Sequence, residues 1–170
     1  MEIMRIGCLV MAAGSASRFG ENKLAVEFKG KTLIERALEA VPKEQFYKVT
    51  VVTQHDEVIK LAKHFGFTPI YNPHPDWGAS HTIKLGTEQM AGCDAILYQV
   101  ADQPLLRRES VSAEVDFFRA HPDKIVGMGH GGVRGNPCIF PSRFFPELTA
   151  LEGDCGGNTV IRRHEEDLLL

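Results

Sequence analysis

Residues 6–23 read IGCLVMAAGSASRFGENK, an apolar run that passes directly into a loop of small and charged residues. The apolar part, residues 6–12, is short and aliphatic, which predicts a strand buried on both faces. The small residues that follow let the backbone approach a ligand, and the amides of a tight turn can point together at phosphate oxygens. Arg18 and Lys23 add positive charge to this loop. The segment therefore predicts a polyphosphate site directly after the first strand.

Apolar runs and helix-like segments alternate along the rest of the chain. Further strands are predicted at residues 49–53, 68–71, 95–100 and 125–128, and helices at residues 32–40, 56–64, 80–90 and 110–120. Thr32 and Glu35 have the spacing of a capping box at the first helix. This alternation predicts an α/β fold in which one doubly wound, mostly parallel, Rossmann-like sheet with right-handed crossovers is sandwiched by helices. Residues 1–170 are expected to form a single domain, in which the alternation weakens after Met128 to a strand at 138–140 and a helix from Asn158 onward.

Two aspartates lie where a ligand of such a sheet is expected. Asp102 comes two residues after the apolar run 95–100, and in an open α/β sheet ligands bind beyond the carboxyl ends of the strands. Asp154 is flanked by glycines that allow close backbone approach. Considered alone, each aspartate also has a purely structural interpretation: Asp102 could begin a turn, and Asp154 could cap the last helix. Together with the basic first loop, they favour a magnesium–triphosphate site, because magnesium prefers oxygen ligands.

Two other sequence features carry weaker signals. Residues 127–132 match G-x-G-x-x-G, but Gly135 and Pro137 follow where a helix is needed, so a dinucleotide site is disfavoured. A glycine-rich turn that shapes an acceptor pocket is the preferred interpretation. The four cysteines, Cys8, Cys93, Cys138 and Cys155, lie far apart and are expected to be small buried residues.

Composition narrows the classes of partner. The chain has a formal net charge of -3 and a pI near 6.2, which offers no overall attraction to nucleic acid or to an anionic membrane. No stretch approaches the roughly 20 apolar residues that cross a bilayer, and no secretory signal is recognised. We therefore expect a cytoplasmic protein with a small-molecule partner, with no nucleic acid and no membrane involved.

Several motifs of the sequence resemble those of a known enzyme family. The pattern from Leu9 through Gly14, Arg18 and Gly20 to Lys23 resembles the signature of nucleotidyltransferases of the glycosyltransferase-A-like fold, the nucleotide-diphospho-sugar transferase type. More specific motifs resemble molybdenum cofactor cytidylyltransferases: Asn72-Pro73 with Trp77-Gly78, Ser80 and Thr82; Ala101-Asp102-Gln103-Pro104; Gly135 with Pro137; and Leu151 with Gly153-Asp154 and Gly156. The match runs in order from Leu9 to about Arg163.

The resemblance implies transfer of CMP from CTP to the phosphate of molybdopterin, with release of pyrophosphate. It implies a nucleotide site formed by Ala12, Ala13, Gly14, Arg18, Lys23, Asn72, Gly78 and Thr82. Arg18, Lys23 and Asp102 would act in catalysis, Asp102 and Asp154 would hold Mg²⁺, and Gln103, Gly135, Asn136 and Asn158 would face the acceptor. A molybdoenzyme or its maturation chaperone is an implied partner. Ala13 favours cytidine, because guanylyl relatives usually carry a glycine there.

Three departures from the pattern leave alternatives open. His81 stands where serine is common, Asn136 where histidine is frequent, and Asn158 where arginine is frequent. The alternatives are guanylyl transfer from GTP, nucleotidyl transfer to a sugar or alditol phosphate, and a non-catalytic nucleotide or cofactor carrier. The oligomeric state and the number of metal ions are not predicted.

Overall fold

The computed structural model describes residues 4–13, 27–28, 31–101, 103, 106–130, 133–153 and 155–170. Within these ranges the strands are β1 (Ile6–Met11), β2 (Glu27–Phe28), β3 (Lys31–Thr32), β4 (Lys48–Thr53), β5 (Thr68–Tyr71), β6 (Ala95–Val100), β7 (Ile125–His130), β8 (Val133–Pro141) and β9 (Leu168–Leu169). The helices are α1 (Leu33–Glu39), α2 (Asp56–His64), α3 (Ala79–Gln89), α4 (Arg108–Ala120), α5 (Phe145–Thr149) and α6 (Gly157–Arg163). None of the helices in these ranges is long and apolar enough to cross a bilayer.

Seven of the strands form one sheet in the order β5-β4-β1-β6-β8-β7-β9. Neighbouring strands pair in parallel, except that β8 runs antiparallel to both β6 and β7. Strands β2 and β3 form a separate antiparallel pair. The predicted mostly parallel sheet is confirmed, and its carboxyl edge collects the ends of β1, β4, β5 and β6.

Helices cover both faces of the sheet, as predicted. Along β1, Cys8 and Val10 face a core shared with α1, α2 and α4, whereas Leu9 faces a core shared with α3, α5 and α6. This alternation follows from the two-residue period of a strand, and it explains why buried parallel strands are apolar throughout. The result is a three-layer sandwich in which β1 lies next to the centre of the sheet.

The capping box predicted at the first helix is present. The Thr32 Oγ1 atom accepts a hydrogen bond from the Glu35 backbone N–H at 3.2 Å, and Glu35 Oε1 accepts from the Thr32 backbone N–H at 3.4 Å. These two bonds satisfy amides that the helix itself leaves without partners. Thr32 therefore fixes the start of α1 where the sequence places it.

Three expectations need correction. Helix α4 lies on the same face as α1 and α2, yet the β6–α4–β7 connection moves across the sheet in the opposite direction to β1–α1–β4. The two connections therefore have opposite hands, and the expectation of right-handed crossovers fails for one of them. The glycine-rich segment is largely strand, because β7 continues to His130. Cys155 is exposed, whereas Cys8, Cys93 and Cys138 are buried as predicted.

Candidate active site at the carboxyl edge of the sheet

A cavity of about 140 Å³ opens at the carboxyl edge, on the face covered by α3, α5 and α6. Met11 of β1, Val100 of β6 and Asn136 of β8 form part of its wall. Ala79 at the start of α3 and Gly156 just before α6 complete this part of the lining. The cavity thus joins the ends of strands from both halves of the chain, as expected for a ligand site in an open α/β sheet.

A bulge in β8 opens this cavity. Gly127 pairs with Cys138, but the next residue of β7, Met128, pairs with Gly135. Asn136 and Pro137, which are joined by a cis peptide bond, therefore have no partners on β7. Pairing of β8 with β6 also ends at Cys138. The extra residues separate β8 from its neighbours and place Asn136 in the cavity wall, in keeping with the way bulges redirect side chains beside active sites.

Gln103 bridges the resulting gap. Its Nε2 atom donates a hydrogen bond to the backbone oxygen of Asn136 at 3.1 Å. The Gln103 Oε1 atom is buried and has no hydrogen-bond partner within the described structure. An unpaired buried acceptor is energetically costly, so this atom is suited to accept a hydrogen bond from a ligand.

The predicted acceptor residues are brought together. Asn136 and Asn158, the latter in the first turn of α6, both line the cavity. Gln103 contacts Asn136, and Gly135 precedes it in the bulged strand. Four residues separated by up to 55 positions in the sequence therefore meet at one side of the site.

Tyr98 is a wall residue that the sequence motifs do not single out. Its phenol oxygen lies 2.7 Å from Thr87 Oγ1, and burial raises its pKa well above the ordinary value. The side chain is therefore a neutral phenol that closes the floor of the cavity. The two-residue alternation of β6 is the signal that could have placed it on this face.

At the nucleotide side, the end of β1 is firmly anchored. The Ala12 backbone N–H donates to the Val52 oxygen at 2.9 Å, and its carbonyl accepts from Thr53 Oγ1 at 3.1 Å. The Ala12 amide is therefore already used within the sheet and cannot also point at a phosphate. Ala13 is half-buried, while Gly14, Arg18 and Lys23 lie outside the described residues.

Asn72 and Thr82 form a buried pair. The Asn72 Nδ2 atom donates to Thr82 Oγ1 at 3.2 Å, and Asn72 Oδ1 accepts from the His74 backbone N–H at 2.8 Å. Neither side chain is more than 2% exposed. In this arrangement both residues position the loop between β5 and α3, and they present no surface to a ligand.

Gly78 marks the junction between that loop and α3. It ends the short 3-10 helix Pro75–Trp77 and directly precedes α3, with a φ of 93°. This left-handed backbone favours glycine, which has no Cβ to clash. Gly78 thus allows the abrupt turn that brings Ala79 to the cavity wall.

Asp102 and Asp154 lie outside the described residues, but their chain neighbours border the cavity. Val100 and Gly156, each two positions from an aspartate, both line it. The Ala101 backbone N–H donates to the Met11 oxygen at 3.2 Å. The Ser80 Oγ atom donates to the Gly153 oxygen at 2.6 Å. The segments that carry the two aspartates are therefore both fixed at this edge of the sheet.

Comparison with known proteins agrees with the fold. The model of the MobA-like NTP transferase domain matches residues 8–168. The purine catabolism protein PucB of Bacillus subtilis is 26% identical over 163 residues, covering 89% of this chain and 78% of that protein. A probable molybdenum cofactor guanylyltransferase of the same organism is 29% identical over 143 residues, covering 82% of this chain and 69% of the relative.

A solved structure also shares the architecture. The Rv0371C complex with manganese from Mycobacterium tuberculosis H37Rv superposes with a TM-score of 0.77 at 17% identity, covering 97% of this chain and 86% of that one. At this identity the likeness concerns the fold. The family model, in contrast, spans almost the whole chain and both sides of the cavity, so the protein belongs to the MobA-like NTP transferase domain family and is a nucleotidyltransferase.

Proposed function

We propose that the protein transfers CMP from CTP to the phosphate of a molybdopterin-type acceptor in a magnesium-dependent reaction. The observation that carries this proposal is the cavity between β6 and β8. Met11, which lines the cavity, lies just before the predicted phosphate loop. Val100, two residues before Asp102, and Gly156, two residues after Asp154, line the same cavity. Asn136 and Asn158, two of the predicted acceptor residues, line the same cavity.

The reaction needs little acid–base chemistry from the protein. A phosphate monoester has its second pKa near 6, so the acceptor oxygen is already anionic at neutral pH. This oxygen forms a bond to the α-phosphorus of CTP, and the bond from that phosphorus to pyrophosphate breaks. Arg18, Lys23 and the amides of Ala13 and Gly14 would orient the triphosphate and balance the charge on the departing pyrophosphate. No histidine is assigned as a base.

Asp102 and Asp154 are the proposed magnesium ligands. Their carboxylate oxygens are the donors that Mg²⁺ prefers, and one or two carboxylates plus substrate phosphates suffice to hold it. When bound, the cation would neutralise charge on the triphosphate oxygens. The solved manganese complex of the same fold supports a divalent cation, and the choice of magnesium is part of the proposal.

The acceptor would bind on the β8 side of the cavity. The unpaired Gln103 Oε1 atom supplies a hydrogen-bond acceptor there, and the side chains of Asn136 and Asn158 supply amides. A pterin carries several N–H donors, which suits such a set of groups. A molybdoenzyme or its maturation chaperone would then receive the product in the cytoplasm.

GTP is the second candidate donor. Ala13 favours CTP, whereas the similar Bacillus subtilis protein is named as a guanylyltransferase. Thermal-shift measurements with the four nucleoside triphosphates and magnesium distinguish the two, because the preferred nucleotide stabilises the fold most. We expect CTP to give the largest shift, and a larger shift with GTP would replace cytidylyl by guanylyl transfer.

The reaction is tested by pyrophosphate release from CTP, magnesium and molybdopterin. We expect Asp102→Ala to lower kcat by about a hundredfold or more, because a proposed metal ligand is lost. Asp123→Ala is the matched control, since Asp123 is exposed in the turn between α4 and β7 and should leave the rate unchanged. Equal rates for the two variants would contradict the assignment of Asp102.

A further inference from the structure

Three aromatic rings form an ordered cluster, the indole platform, in the segment that connects β5 to α3 and in the first turn of α3. The rings of His74 and Trp77 are stacked, with centroids 3.7 Å apart and planes 3° from parallel. His81 meets Trp77 at 4.9 Å with an interplanar angle of 67°, and its centroid lies 6.0 Å from that of His74. Trp77 nevertheless remains 52% exposed.

One face of the indole is left uncovered by the two imidazoles. The distances of 3.7, 4.9 and 6.0 Å form nearly a right angle at Trp77, so His81 lies beside the ring edge and His74 covers one face. The opposite face is not covered by either imidazole, in agreement with the high exposure of the side chain. A flat, accessible aromatic surface of this kind suits a planar ligand ring.

The backbone holds this surface rigidly. The Trp77 N–H donates to the His74 oxygen at 3.0 Å, and the His81 N–H donates to the Gly78 oxygen at 3.2 Å. The His74 N–H is in turn held by the buried Asn72 side chain at 2.8 Å. Because the ring is fixed before any ligand arrives, little conformational entropy is lost when a ligand stacks on it.

The platform lies beside the proposed active site. Trp77 is two residues before Ala79, which lines the cavity, and Ser80 contacts the segment that leads to Asp154. The nucleoside triphosphate donor of a nucleotidyltransferase carries a nucleobase, and the proposed acceptor adds a pterin. Both are planar heteroaromatic rings that stack favourably on indole.

We infer that Trp77, backed by His74 and edged by His81, is a stacking surface for the planar heteroaromatic ring of a substrate. The inference rests on the proposed function, because that function supplies the rings. The nucleobase of the donor and the pterin of the acceptor share the chemistry, and binding experiments with each ligand alone distinguish the two sources.

Trp77 is the single tryptophan of the chain, so intrinsic tryptophan fluorescence reports on this ring alone. The protein is titrated at one fixed pH of about 8 with CTP, GTP, a soluble pterin and inorganic triphosphate. We expect strong quenching by the ligands that carry the stacking ring and none by inorganic triphosphate. Quenching by the nucleotides alone assigns the platform to the base, and quenching by the pterin alone assigns it to the acceptor.

Variants test the contribution of stacking to affinity by calorimetry. We expect Trp77→Ala to weaken binding of the stacked ligand about tenfold or more, and Trp77→Phe to retain most of the affinity. Tyr47→Ala is the matched control, because Tyr47 is 62% exposed but lies just before β4, at the opposite edge of the sheet.

The two proposals fail separately. Calorimetric binding of CTP and of the pterin without any change in Trp77 emission would overturn the stacking surface and leave the proposed reaction in place. Ring-dependent quenching without pyrophosphate release from any triphosphate and acceptor would overturn the proposed reaction and leave the stacking surface in place.

Discussion

Glu114 is the residue whose environment is most unusual for its type. It lies on α4 among Val111, Val115 and Phe118, is only 7% exposed, and neither carboxyl oxygen has a hydrogen-bond partner in the described part of the chain. Burial raises its pKa from 4.5 to about 9. A pattern-based interpretation treats a charged helical residue as solvent-facing, so the sequence does not reveal this position.

The raised pKa predicts a specific pH dependence of stability. The unfolded chain releases this proton near pH 4.5, whereas the folded protein keeps it until about pH 9. The free energy of unfolding therefore falls as the pH rises through this window. We expect Glu114→Gln to flatten that dependence and to raise the free energy of unfolding near pH 8 by about 1–3 kcal/mol.

Urea unfolding measured across this pH range checks the prediction. Glu88→Gln serves as the control, because Glu88 is exposed on α3 and its replacement should leave the pH dependence as in the wild type. Parallel stability curves for the wild type and Glu114→Gln would show that Glu114 is not the group responsible.

Site residues were predictable to the extent that local motifs fix them. The order of the motifs predicts that Gln103, Asn136 and Asn158 share a site; Asn136 and Asn158 line the cavity, and Gln103 donates a hydrogen bond to the Asn136 backbone oxygen. The buried pairing of Asn72 with Thr82 was not predictable, because a motif identifies residues without showing whether their polar atoms face a ligand or each other. The stacking of His74 on Trp77 was not predictable either, because it depends on the geometry of the turn between them.

At the scale of elements, buried parallel strands are the most predictable part of the fold. The bounds predicted for β6 are those observed, because an apolar run flanked by polar turns leaves little freedom in where the strand ends. The bounds predicted for β5, a partly buried edge strand, are also those observed. The long strand β8 is recognised only at residues 138–140. Its first half contains glycine, asparagine and proline, and its bulge depends on pairing with β7, which a single segment does not reveal.

Packing of α3 on β1 yields a second prediction. A Cβ atom at Gly86 of α3 would lie within 3.0 Å of three side-chain atoms of the fully buried Leu9. We expect Gly86→Ala to lower the free energy of unfolding by about 1–3 kcal/mol, because Leu9 must leave its rotamer or the helix must move outward. Chemical denaturation measures the effect.

A second glycine, at which an added Cβ meets no neighbour, is the control for crowding. Gly92 follows α3, and an added Cβ would meet nothing within 4 Å, so Gly92→Ala should change stability by no more than about 0.5 kcal/mol. Combining Gly86→Ala with Leu9→Ala should cost less than the sum of the two single changes, since the clash is removed. Strict additivity would rule out contact with Leu9 as the cause.

For the whole molecule, the cavity divides the site into two sides. On one side, β1 leads into the predicted nucleotide loop and β6 leads to Asp102; on the other side, Asn136 of β8 and Asn158 of α6 are two of the predicted acceptor residues. The alternation of strands and helices predicts which loops lie at this edge. The separation of β8 from its neighbouring strands follows from the β8 bulge, which the sequence does not predict because it depends on the pairing of β8 with β7.

This division predicts separable kinetic effects. We expect Asn136→Ala to raise KM for the acceptor about tenfold and to leave the affinity for CTP unchanged, because the residue lines the cavity on its proposed acceptor side. The Gln103 contact is to the backbone oxygen of Asn136 and survives the substitution. Steady-state kinetics with both substrates varied, together with calorimetry for CTP, makes the measurement. A comparable loss of CTP affinity would refute the division.

The reversed direction of β8 has a further consequence for engineering. Because β7 runs parallel to β6, the hairpin that joins β7 to β8 emerges at the same edge as the cavity. Its last paired residues are His130 and Val133, so segments inserted between them would extend the protein at that edge without disturbing the register of any strand. Insertion of loop segments at this hairpin is therefore a way to vary the surface beside the substrate site while the sheet and its helices are retained.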